Sequence, residues 1–143
     1  MTNITELAVQ LQELTAWQRT PEPLSQADYE KMVISGIKTL YIDTGRASRY
    51  TSVSFETDTE TGKSYFSDDL GIDEEKYVLL VAQIAFFKRV QTDVNNIVSY
   101  TTDALSVANA DKPYGHLQDT IGALENERRI VFYKMTDYSF YNA

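Results

Sequence analysis

The chain has 143 residues, 43% of them apolar, with no cysteine, one histidine and a net charge of −8. That length fits a single domain over residues 1–143 that buries roughly two thirds of its unfolded surface, and the missing cysteines rule out disulfides and thiolate metal sites. Twenty-one acidic against thirteen basic side chains argue against phosphate-backbone binding as the main activity, because that activity needs clustered Lys and Arg.

The opening MTNITELAVQLQELTAW has no basic stretch ahead of an apolar core, and no window approaches about eighteen apolar residues, so a soluble protein without a membrane span is expected. Ile4, Leu7, Ala8, Leu11 and Leu14 recur at helical spacing and predict a first helix from about Thr5 to Ala16, followed by Trp17. Pro21 and Pro23 in RTPEPL then break the pattern and mark a linker. Ser25 with Asp28 three residues on reads as a capping box for a second helix reaching about Asp43, with Tyr29, Val33, Ile37, Leu40 and Tyr41 on one face. Gly36 inside it is either a close-approach point for another helix or a tolerated defect, and Gly45 supplies the stop.

From Tyr50 to Glu56 the chain reads YTSVSFE, and KSYFS over Lys63–Ser67 returns antiparallel to it across the turn formers TDTETG, which predicts a hairpin over about 50–67. A lone hairpin is marginal in water, so helices or a neighbouring subunit must support it. Asp73 is the expected cap of a third helix running to about Tyr100, its apolar positions keeping helical spacing from Tyr77 to Val98. An irregular connection follows, with a short helical turn at Ala104–Ala108 and with Pro113 and Gly115 as breakers. The last helix is expected from about His116 to Met135, with Leu117, Ile121, Leu124, Val131 and Met135 on one stripe, and an extended C-terminal tail over about 136–143. The fold class that results is mainly α: a bundle of about four helices with an inserted β-hairpin and that tail.

Catalytic chemistry finds little to work with. His116 has no second histidine or cysteine to share a metal, and the run Glu56, Asp58, Glu60, Gly62 departs from a calcium loop in its glycine position and in having Ser67 where a glutamate is needed. No nucleophile elbow is present, and adjacent acids such as Asp68 and Asp69 usually stay hydrated. Arg46 and Arg49 after the second helix read either as binders of an anion or a carboxylate or, the more common outcome, as surface salt-bridge formers. Neither an enzyme nor a bound metal or cofactor is expected.

Two segments point to contact instead. Eight carboxylates against two lysines between Glu56 and Lys76 give a local balance of −6, most of the chain's net charge. They read either as a solvated loop with an acidic first helical turn, or as a lumen-facing or subunit-facing surface carried by Glu56, Asp58, Glu60, Asp68 and Asp69. At the other end, Phe132, Tyr133, Tyr138, Phe140 and Tyr141 put five of the seventeen aromatics within ten residues, either as docking anchors or as rings folded back onto the domain.

The segment AFFKRVQTDVNNIVSYTTDALSVANADKPYGHLQDTIGALENERRIVFYKM, from Ala85 to Met135, resembles small structural proteins of tailed bacteriophages that serve as head–tail connectors or neck proteins. The resemblance implies a homo-oligomeric ring of about a dozen copies below the portal protein, extending the DNA channel and linking capsid to tail through another neck or tail-completion protein. It implies double-stranded DNA passing without specific binding, a place in the virion neck after assembly in the host cytoplasm, and a C-terminal tail reaching the portal. An acidic wall suits a conduit, since cationic walls would hold the duplex. A small cytoplasmic helical adaptor or regulatory binding protein is the alternative.

Overall fold

The computed structural model describes residues 1–15, 24–101 and 111–141, with side chains over 1–15, 24–92 and 117–135. The expected linker with Trp17 and the expected turn at Ala104–Ala108 lie outside the described residues. The elements, in chain order, are β1 (Thr2–Asn3), α1 (Ile4–Leu14), α2 (Gln26–Asp43), α3 (Ala47–Tyr50), β2 (Phe55–Thr57), β3 (Ser64–Phe66), α4 (Ile72–Thr101) and α5 (Asp111–Tyr141). The expected class holds: a mainly helical bundle with an inserted hairpin.

Helix α4 is central. Tyr77, Val78, Leu80, Ala82, Ile84, Phe86, Phe87 and Val90 are all buried, and at about 100° per residue they cover most of the helix circumference, leaving exposed the face of Ala85, Lys88, Arg89 and Thr92. Against it α2 runs antiparallel, with Tyr29 stacked on Phe86 at 6.4 Å between ring centroids and Asp43 beside Tyr77. At Gly36 these two helices lie close together: a Cβ there would lie 2.9 Å from the Val78 carbonyl oxygen. Close approach, not a tolerated defect, explains this glycine. Helix α5 packs antiparallel on α4, Lys88 pairing with Glu125 at 3.3 Å and Tyr77 meeting Phe132.

The helix ends follow local chemistry. Asn3 accepts from the Glu6 N–H at 3.0 Å to start α1, and Thr15 caps its end at Leu14, donating its hydroxyl to the Leu11 carbonyl at 2.7 Å. Ser25 and Asp28 form the expected reciprocal box, and these bonds hold the Asp28 carboxyl below the usual carboxylate range. Gly45, at φ 74°, ends the α2 region in the left-handed conformation that glycine adopts without strain.

Several boundaries differ from expectation. Helix α4 begins at Ile72, so Asp73 sits in its first turn with Glu74 and Glu75, and Gly71 takes the cap position by receiving the Glu75 N–H at 2.9 Å. Helix α5 begins at Asp111 and contains Pro113, because the N–H that proline lacks has no helical partner in a first turn. It also continues to Tyr141, so residues 136–141 are helical and not an extended tail: TDYSFY contains no glycine or proline to stop a helix.

The hairpin is shorter than 50–67, since Tyr50 belongs to the short helix α3. Its support comes from within the chain. Strand β1 adds to the far side of β3, giving the antiparallel order β1-β3-β2 with Thr2 opposite Phe66 and Phe66 opposite Phe55. Phe66 is fully buried and packs on Phe55 at 5.0 Å and Tyr41 at 5.9 Å, so this small sheet shares the bundle's core. Among the described residues no helix is long and apolar enough to cross a membrane.

Candidate functional site

The acidic segment divides into two parts with different roles. Asp68 accepts the Tyr41 hydroxyl at 2.7 Å and the Arg49 guanidinium at 3.0 Å, and these bonds, Tyr41 foremost, hold its carboxyl below the usual range. Burial, followed by the neighbouring Asp68 carboxylate, pushes the Tyr41 hydroxyl up to about 12. Asp69 pairs with the N-terminal ammonium, and Glu74 with Arg46 at 2.7 Å, whose guanidinium lies over the Tyr41 ring. Asp68, Asp69 and Glu74 therefore tie β1, α2, α3 and α4 together. Asp68 is half-buried in this network and is not part of an open acidic face, whereas Asp69 remains exposed.

Glu56, Asp58 and Glu60 behave otherwise. All three are exposed on the hairpin, and among the described residues no cation lies within ion-pair distance of them. Asp58 accepts the Glu60 N–H at 2.9 Å, and Gly62, at φ 71°, completes the turn. In the ladder, the Ser67 N–H reaches the Ser54 carbonyl and the Asp58 N–H the Lys63 carbonyl. Alternation then directs the backbone groups of Phe55 and Thr57 away from β3, toward the open edge.

The aromatic C-terminal residues also divide. Phe132 is half-buried, its ring 6.2 Å from Tyr77, and belongs to the seam between α4 and α5. Tyr133 is 57% exposed and meets Phe132 edge-on at 6.1 Å. Tyr138, Phe140 and Tyr141 occupy the last turns of α5, and their side chains lie outside the described residues, as does that of His116.

Two surface depressions were not foreseen. The first, about 410 Å³, is lined by Asp43, Tyr77, Arg128 and Phe132. Three of its polar groups are committed to one another, Arg128 donating Nε to the Tyr77 hydroxyl at 3.0 Å and Nη2 to Asp43 at 2.7 Å with its guanidinium 5.3 Å over the Tyr77 ring, while Glu125 and Arg129, which also line it, bond to Lys88 and Asn126. This is a lock between α2, α4 and α5. The second, about 250 Å³, opens between α2 and α4, with Ser35, Gly36, Ala82 and Ala85 inside and Lys31 and Arg89 on its rim. Among the described residues those two cations form no ion pair. Only the spacing of small residues across from Gly36 hinted at it in the sequence.

Among the described residues no group of three or more His, Cys, Asp or Glu side chains could hold a metal ion. What the exposed groups offer is recognition through charge and open backbone hydrogen-bonding positions. No protein-family model, curated protein or solved structure matches the chain.

Proposed function

We propose that the chain is a structural assembly protein, a head–tail connector of a tailed bacteriophage. It forms a ring of about a dozen copies below the portal, continues the DNA channel and offers a surface to the next neck or tail component. The observation that supports this reading best is the hairpin acids. The fold pairs Asp68, Asp69 and Glu74 within the chain, yet leaves Glu56 exposed on a strand edge with open backbone groups and Asp58 and Glu60 exposed in the turn beyond it. A surface so arranged serves contact. The net charge of −8 suits a conduit wall that duplex DNA passes without adhering.

The last turns of α5 are the proposed portal contact, through Tyr133 and the positions of Tyr138, Phe140 and Tyr141. Co-expression with the portal protein of the same phage tests the reading. A ring bound to the portal is expected by mass photometry and electron microscopy, and removing residues after Met135 should abolish docking while leaving the helical circular dichroism in place. A chain that stays monomeric or dimeric and never binds the portal refutes the connector role and favours a cytoplasmic adaptor.

A further inference from the structure

We infer that copies of this chain join head to tail, with the acidic hairpin turn of one copy, Glu56, Asp58 and Glu60, seated on the Lys31–Arg89 rim of the α2–α4 groove of the next. The inference rests on the ring reading above and names its subunit contact; it puts the acidic turn between neighbours instead of in the lumen.

The two surfaces match in charge. In a chain with a net charge of −8, Lys31 and Arg89 flank one shallow groove and have no ion-pair partner among the described residues. Lys88, next to Arg89, is already paired with Glu125. Asp28 also lines the groove: its carboxylate is held chiefly by Ser25 in the cap of α2 and also feels Lys31 and Arg89, so one acid faces two cations there and the rim stays positive. The three hairpin acids carry the opposite charge and are likewise without a cation.

They also match in shape. The groove is open because Ser35, Gly36, Ala82 and Ala85 leave little side chain inside it, which gives room for a narrow two-stranded turn.

The surfaces lie on opposite sides of α2, which makes the contact heterologous. Thr5 donates its hydroxyl to Glu30 at 3.0 Å and accepts the Ser64 N–H at 2.8 Å, so the hairpin stands on the α1 side of α2. At about 100° per residue, Asp28, Lys31 and Ser35 turn away from Glu30 toward the far side, where the groove opens. A surface on one side that binds a different surface on the other cannot saturate itself in a dimer. It propagates, and closes into a ring when the rotation per subunit allows.

One turn in one groove is smaller than a standard stable interface, so a single junction is weak, and being ionic it weakens further with salt. The test is therefore sedimentation velocity of the full chain at about 0.5 mM and about 20 mM salt, where screening is slight. Wild type is expected to form species larger than dimers that dissolve on salt addition. K31E/R89E and E56K/D58K/E60K should each associate at least about tenfold more weakly, because each then presents like charges on both faces. Mixed in equal amounts the two variants should recover association, since every junction between unlike copies is again complementary.

A wild type that is monomeric under these conditions overturns the inference, as do variants that associate like wild type or a mixture that stays monomeric. Portal binding separates this from the functional reading. Copies that assemble on the portal but ignore the charge exchange lose only this contact. Copies that obey the exchange but never bind the portal keep the contact and lose the connector role.

Discussion

Replacing Gly36 by alanine tests the packing of α2 on α4 at its tightest point. The new Cβ would lie 2.9 Å from the Val78 carbonyl oxygen and 3.1 Å from its Cγ1, and the closer of these is backbone, which cannot swing aside. The helices must part by a few tenths of an ångström, straining the layer formed by Val33, Ile37 and Val78, all fully buried. Overpacking of that kind costs about 1–3 kcal/mol, while alanine regains about 1 kcal/mol of helix propensity over glycine. The net expectation is a loss of about 1 kcal/mol, or about 2–4 °C in melting temperature for a chain of this size. Gly122 is the matched control: it lies on the exposed side of α5 with nothing within 4 Å of its added Cβ, so Gly122→Ala should stabilise by about 0.5–1 kcal/mol. Urea unfolding followed by circular dichroism measures both. A Gly36→Ala protein as stable as Gly122→Ala would refute the close-approach argument.

The Tyr41–Asp68 pair should make stability depend on pH at both ends. Asp68 has a folded value below its ordinary 3.8, so its contribution is in place above that pH and is lost as pH falls through the folded value. Tyr41 has a folded value raised from 10.0 to about 12, so its contribution is complete below pH 10.0 and is lost as pH rises toward 12. Tyr41→Phe should flatten the alkaline limb of melting temperature against pH; an unchanged limb would contradict this account. Arg128→Lys should lose about 1–2 kcal/mol of unfolding free energy, nearly as much as Arg128→Ala, because an ammonium cannot span Tyr77 and Asp43 as the guanidinium fork does. Full rescue by lysine would show that charge alone matters there. Phe132→Ala should cost about 2–3 kcal/mol through lost packing on Tyr77, whereas Tyr133→Ala, at an exposed position, should cost under about 1 kcal/mol. Equal losses would place both rings in the core.

The long elements were legible because their periodicity spans many turns. The capping box at Ser25 and Asp28, the stop at Gly45 and the stripe of α4 are all written in adjacent residues. What escaped was decided by partners distant in sequence. Strand β1 is two residues long, too short to show alternation, and exists because β3 offers an edge 60-odd positions later. Pro113 reads as a breaker by composition and is harmless by position, since only the first turn of α5 contains it.

The acidic segment shows the same limit at the candidate site. Its eight carboxylates look alike in sequence, and only folding brings Tyr41 and Arg49 to Asp68 and Arg46 to Glu74, while the hairpin acids and Asp73 stay exposed without a cation among the described residues. Lys31 and Arg89, 58 positions apart, likewise become one rim only when α2 lies on α4.

Electron cryomicroscopy of the chain bound to its phage's portal tests the central claim most directly. A closed ring with identical junctions between successive copies and an open axial channel is expected. A single copy or a two-fold symmetric dimer on the portal, or a portal left bare at saturating protein, would contradict it.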